Sequence, residues 1–221
     1  MCYPIDNKNL LNSIFKHFTK LDQLVYLNIG GFRDINEVII GLRQLSNKCL
    51  KLKSLDIGAI YPDFLSSALL TSFITGVKKF KALERLGFEF SLEDFSELQT
   101  YEEFFNGFES LTHLSILLVN AKQIQNDLLK NINKSLPKLR VLCIKSLYPI
   151  EVSEETADCL GRLSRLESIQ LNVKNNSIQE SIVDKIMKNC RKIKSIDITV
   201  DKHEVNSSSS SSEWESDPEE D

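Results

Sequence analysis

The chain has 221 residues, 42% of them hydrophobic and 26% charged, with a formal net charge of -4. That composition supports one sizeable core or an elongated array. A net-acidic chain without a basic stripe argues against nucleic acid as the main ligand. No apolar run approaches the roughly 18 residues of a membrane helix, so no membrane partner is expected.

In chain order, the start "MCYPIDNKNLLNSIFKHF" has neither the basic region nor the small-residue cleavage site of a secretory signal. Leu10, Leu11, Ile14, Phe15, Phe18 and Leu21 form one apolar stripe at helical spacing, so residues 1–20 are expected to form an N-terminal helix. From there a phrase of the form L-x-x-L-x-[LIF] recurs. It begins at Leu24, Leu52, Leu83, Leu111, Leu139, Leu166 and Ile193, in steps of 28, 31, 28, 28, 27 and 27 residues. An apolar residue stands three places before each copy: Leu21, Cys49, Phe80, Phe108, Leu136, Leu163 and Cys190. The L-x-L alternation predicts a short strand in each copy. Between copies the spacing changes to that of a helix: Ile35, Val38, Ile39, Leu42 and Leu45 make one stripe, and Ile124, Leu128, Leu129, Ile132 and Leu136 another. Ile178, Ile182, Val183, Ile186 and Cys190 repeat that second stripe 54 residues later. Each unit is therefore strand, turn, helix and return, over residues 21–200.

The last predicted strand, Ile193–Val200, runs into a different kind of sequence. Residues 201–221 carry eight acidic side chains against Lys202 alone, and six consecutive serines. Such a segment cannot bury enough apolar surface to fold, so it is expected to be a disordered acidic tail. The other 200 residues hold 26 basic and 23 acidic side chains, a nearly neutral body. The five cysteines are an odd number, widely spread and without a CxxC pair. A disulfide scaffold or zinc site is not expected, and a reducing setting, cytoplasmic or nuclear, fits that usage.

Seven copies at so even a period resemble the leucine-rich repeat family, whose units run 20–29 residues. The frame C-x-x-L-x-x-L-x-[LI] at Cys49 and Cys190 is similar to the cysteine-containing subclass found in F-box/LRR proteins; the unit length also resembles the ribonuclease-inhibitor type. The resemblance implies an α/β solenoid of about seven repeats, with parallel strands on the concave face and helices on the convex one. One feature departs from the family pattern. Five positions after the second leucine, where the family places Asn or Cys to bond the turn, this chain has Phe32, Ile60, Ser91, Val119, Leu147, Lys174 and Asp201. These turns are expected to close by apolar packing instead.

Stacked units would turn the motif leucines inward and the intervening residues outward. One outward column reads Tyr26, Ser54, Arg85, His113, Val141, Ser168, Ser195, and the next Asn28, Asp56, Gly87, Ser115, Cys143, Gln170, Asp197. A third reads Gly30, Gly58, Glu89, Leu117, Lys145, Asn172, Thr199. Solenoids bind proteins on such extended surfaces, and Tyr and Arg are enriched at binding hot spots. The candidate partner-binding residues are Tyr26, Asn28, Asp56, Arg85, Glu89, His113, Cys143, Lys145, Gln170 and Asp197.

Catalytic signals are sparse. His113 and Cys143 fall on adjacent strands, one column apart, and a thiol–imidazole pair can activate a nucleophile. No orienting carboxylate follows in register, so the chain reads as non-catalytic. Gly30-Gly31 lacks the spacing of a phosphate-binding loop. Neither a cofactor nor a metal is expected.

The stretch "LLNSIFKHF" is similar to part of an F-box, but Pro4 stands three residues too early for that motif and Asn9 replaces its Glu. Repeat registry accounts for more positions and makes it a terminal repeat helix; an F-box would then lie upstream of Met1. In the tail, Ser210, Ser212 and Ser216 each precede a carboxylate by three residues. They are candidate sites for acidophilic kinases, and a merely solubilising tail reads equally well. The family resemblance implies a protein partner on the concave face, with components of an SCF ubiquitin ligase if an F-box precedes. The alternative is a regulator similar to the Ran GTPase-activating protein, with a repeat body and acidic tail binding a small GTPase or a basic protein.

Overall fold

Every copy of the recurring phrase lands on a strand. The computed structural model describes residues 8–30, 34–60, 67–91, 105–119, 129, 132–146, 152–174 and 179–201. Seven strands are found there: β1 (Tyr26–Ile29), β2 (Ser54–Ile60), β3 (Arg85–Ser91), β4 (His113–Val119), β5 (Val141–Ser146), β6 (Ser168–Lys174) and β7 (Ser195–Asp201). They form one open sheet in chain order, each parallel to the next. The second motif residue sets the register, since Leu27, Leu55, Leu86, Leu114, Leu142, Ile169 and Ile196 pair in sequence along the row.

A shared turn precedes all seven strands. The amide of the first motif residue donates to the carbonyl three residues earlier, from Leu24 to Leu21 (3.0 Å) through to Ile193 to Cys190 (3.0 Å). Strand starts are then tied across the sheet. The amides of Lys53 and Ser54 both donate to the Val25 carbonyl, and the same pair of bonds recurs at each step as far as Lys194 and Ser195 on Glu167.

Parallel strands need a crossover between them, and helices provide it. The described helices are α1 (Lys8–Phe18), α2 (Ile35–Ser46), α3 (Ser67–Val77), α4 (Ile132–Ser135), α5 (Glu154–Gly161) and α6 (Gln179–Asn189). The Asp34 side chain caps α2 by accepting from the amides of Asn36 and Glu37, and Ser153 caps α5 by accepting from Thr156. The stripe Ile35, Val38, Ile39, Leu42 and Leu45 is buried throughout. Of the second stripe, Leu129, Ile132 and Leu136 are buried, while Ile124 and Leu128 lie outside the described residues. Helix and strand residues share one core cluster from Phe15 to Cys190. Gly41 lets α1 approach α2, because a Cβ there would stand 2.3 Å from the Phe15 ring.

The two cysteines of the C-x-x-L frame have a specific task. The Cys49 thiol shares its one proton between the carbonyls of Phe18 and Leu21 of the preceding unit, both at 3.6 Å. The Cys190 thiol likewise has the carbonyls of Leu160, Gly161 and Leu163 within reach of its one proton, at 3.5–3.7 Å. Most of these carbonyls already accept a backbone amide of their own turn, so the thiol adds a second contact that ties one unit's turn to the next. Burial pushes both thiols above their ordinary pKa, so they stay protonated and able to donate.

Three expectations change. Leu21 fills the same motif position as Cys49 and Cys190, yet it is 48% exposed. The residue at this position packs against the unit before it, and no described unit precedes Leu21. The positions Ile60, Ser91, Val119, Lys174 and Asp201, expected in turns, are instead the last residues of β2, β3, β4, β6 and β7. The last strand occupies Ser195–Asp201 rather than Ile193–Val200, the two residues before it belonging to the turn.

Candidate interaction surface

Side chains alternate across a strand, so burying the second and third motif residues turns the intervening ones outward. Register confirms two of the outward columns in full: Tyr26 beside Ser54, Arg85, His113, Val141, Ser168 and Ser195, and Asn28 beside Asp56, Gly87, Ser115, Cys143, Gln170 and Asp197. The third column is broken. An irregularity in β2 between Ile57 and Ala59 pairs Glu89 with Ala59 rather than with Gly58. Beyond the break, Glu89, Leu117 and Lys145 stand side by side as expected, and Asn172 pairs with Thr199.

The second column is bonded at both ends. Asn28 Nδ2 donates to Tyr26 Oη and to Asp56 Oδ2, each at 3.3 Å. At the far end the Cys143 thiol donates to Gln170 Oε1 (3.1 Å), whose Nε2 donates to Asp197 Oδ2 (2.7 Å). Gly87 separates the two groups; a Cβ there would stand 2.8 Å from Asp56 Oδ1. The thiol–imidazole pair considered from sequence does not form. Cys143 is bonded to Gln170, and His113 Nδ1 lies 2.8 Å from the Thr112 hydroxyl.

Cations stand close to the middle of the first column. Desolvation first, and then the Arg85 and Arg140 cations, hold His113 below its ordinary pKa, so the imidazole is neutral at pH 7. Arg85 and Lys145 are exposed and make no hydrogen bond or ion pair among the described residues. Tyr26 is 57% exposed at one end of the face. Ser210, Ser212 and Ser216 lie outside the described residues.

A fourth row went unread in the sequence. The residue before each strand reads Val25, Lys53, Glu84, Thr112, Arg140, Glu167, Lys194, and in-register neighbours pair by charge. Lys53 meets Glu84 at 2.8 Å, while Glu167 receives both Arg140 at 2.6 Å and Lys194 at 3.0 Å. The Arg140 hydrogen bond, then that of Lys194, takes the Glu167 carboxyl down to about 2. Lys53 holds Glu84 below the usual range in the same way. The signal was present in the alternating charge at one motif position. It is visible only after the strands are aligned, since the partners are 27–31 residues apart.

Among the described residues no helix is long and apolar enough to cross a membrane, and no group of three or more His, Cys, Asp or Glu is placed to hold a metal ion. No family model matches the chain, and neither does any curated protein. Among solved structures the chain is similar to TLR13 in a crystal structure of the TLR13–ssRNA13 complex, at 14% identity and a TM-score of 0.40. The likeness covers 90% of this chain and 31% of that one. It is too loose to carry the fold, which rests on strand order and register.

Proposed function

We propose that the chain is a leucine-rich-repeat scaffold without catalytic function, which binds a protein partner on the outward face of its sheet. The observation that supports this is the set of in-register outward rows in which Arg85, Lys145 and Tyr26 stand exposed. Parallel sheets are commonly covered on both faces. Here helices pack on one side, and the other presents unpaired cations and an aromatic ring. A partner contributing carboxylates opposite Arg85 and Lys145, with an apolar group against Tyr26, fits that chemistry.

A finer reading is a substrate-recognition protein of the F-box/LRR type, and the paired thiol caps at Cys49 and Cys190 favour that subclass. The acidic residues 201–221 favour the alternative of a GTPase regulator, because they suit a basic partner.

The test compares proteins retained from lysate by the unaltered chain, by the double variant Tyr26→Ala/Arg85→Glu, and by Gln44→Ala on the exposed side of α2. Proteins kept by the unaltered chain and Gln44→Ala but lost by the double variant support the outward face. An identical set on all three baits overturns it. A cullin-ligase adaptor in the face-dependent set supports the F-box/LRR reading. Stimulated GTP hydrolysis by a captured GTPase supports the alternative.

A further inference from the structure

The two sides of β6 and β7 differ in one respect that points to an occupant. The inward residues of β6 and its turn, Leu166, Ile169 and Leu171, are 0–1% exposed. Their equivalents one unit later, Ile193, Ile196 and Ile198, are only partly buried against the core. Together with Val183 and Met187 of α6, and with Lys194 and Ser195, these isoleucines line an open groove of about 520 Å3 at the β7 edge. Met187 on its rim is 54% exposed.

Basic residues flank the groove's lining in sequence, on α6 and in the turn that follows it. Lys185 is engaged by Asp158 (3.1 Å) and Glu154 (3.5 Å), and Lys194 by Glu167. Lys188, Arg191 and Lys192 are exposed and pair with nothing among the described residues. An apolar floor beside unpaired cations suits an acidic segment carrying a large apolar side chain. The chain contains one where β7 ends. Residues 202–221 hold seven carboxylates, Lys202 and a single tryptophan, Trp214.

Reach is sufficient. From Ile196 to Asp201 the strand covers about 17 Å at 3.3 Å per residue. The 13 residues from Lys202 to Trp214 span up to about 43 Å when extended. Trp214 can therefore return along β7 with slack. Attachment through the short segment 202–213 places it at an effective concentration on the order of millimolar, so a weak contact suffices.

We infer that the acidic segment 202–221 docks on the open β7 edge of its own chain, with Trp214 seated over Met187, Ile196 and Ile198 and its carboxylates facing Lys188, Arg191 and Lys192. This contact covers the terminal isoleucines and leaves the outward face free.

Trp214 is the only tryptophan, so its fluorescence reports the contact directly. The full chain is compared with a synthetic peptide of residues 201–221, by emission maximum and by acrylamide quenching. The chain is expected to emit to the blue of the peptide and to be quenched less. Met187→Glu, at an exposed position, and the triple variant Lys188→Glu/Arg191→Glu/Lys192→Glu should each return both readings to the peptide's values, with circular dichroism unchanged. Emission identical to the peptide's overturns the proposal. A blue shift that survives both variants places Trp214 elsewhere and also overturns it. A blue shift lost on dilution assigns the groove to a second copy of the chain, which overturns it as well.

Discussion

Units six and seven are written almost alike, and the structure treats them differently. Leu166, Ile169 and Leu171 are sealed because β5 and β7 flank them on either side. Ile193, Ile196 and Ile198 occupy the same motif positions, yet they have a neighbour on one side only and remain half-open. The opposite end behaves likewise: Leu21 is 48% exposed, although the central units bury their equivalents of it. The lesson is that a repeat unit does not own its core. Each unit's apolar stripe is buried by its neighbours, so identical residues differ in energetic weight according to their place in the row.

The largest effect that sharpens this contrast is a matched pair of truncations. Ile169→Ala should destabilise the chain by about 2–5 kcal/mol, the range for emptying a closed site. Ile196→Ala, with a strand on one side only, should cost about 1 kcal/mol. Urea unfolding of both variants measures the difference, and equal losses would show that the β7 edge is as closed as the interior.

A second pair contrasts the helix side with the outward face. Gly41→Ala forces a methyl group into the Phe15 ring, which the buried contact of α1 on α2 cannot easily relieve. A loss of about 1–3 kcal/mol is expected. Gly87→Ala meets only the end of the Asp56 side chain, which can swing away. Its cost should stay within about 0.5 kcal/mol. The reverse ranking in thermal or urea unfolding would contradict the assignment of inner and outer sides.

The smallest effect is electrostatic. Glu167 falls from its ordinary 4.5 to about 2 in the folded chain. A folded-state pKa below the unfolded one means that its contribution to stability is complete above about pH 4.5. It is lost as the pH falls from there towards 2. Unfolding midpoints of the unaltered chain and of Glu167→Gln should therefore differ above pH 5 and converge near pH 2. A gap independent of pH would mean that the Arg140 and Lys194 contacts do not hold the charged carboxylate.

Much of this was legible in the sequence because the period itself encodes adjacency. Once the seven copies were aligned, the strands, their order and the two outward columns followed from Leu27, Leu55, Leu86 and their successors. The break at Ala59 was not legible, since a one-residue irregularity in a seven-residue strand leaves no mark on the leucine spacing. Nor was the exposure of Leu21, which depends on what flanks a unit rather than on its own letters. The charged row of Lys53, Glu84, Arg140, Glu167 and Lys194 is written in the sequence, but its alternating sign is spread over partners 27–31 residues apart and shows only across aligned strands. The columns could be located from sequence alone; what they bind is a matter of surface chemistry that periodicity does not determine.

Hydrogen exchange, followed by mass spectrometry across the seven strands, tests the account most directly. Amides of β4 and β5, hydrogen-bonded within a sheet that continues on both sides, should exchange slowest, and those of β7 clearly faster, with protection falling towards both ends of the row. Uniform exchange across all strands, or β7 protected as strongly as β4, would contradict a sheet whose interior is made by its neighbours.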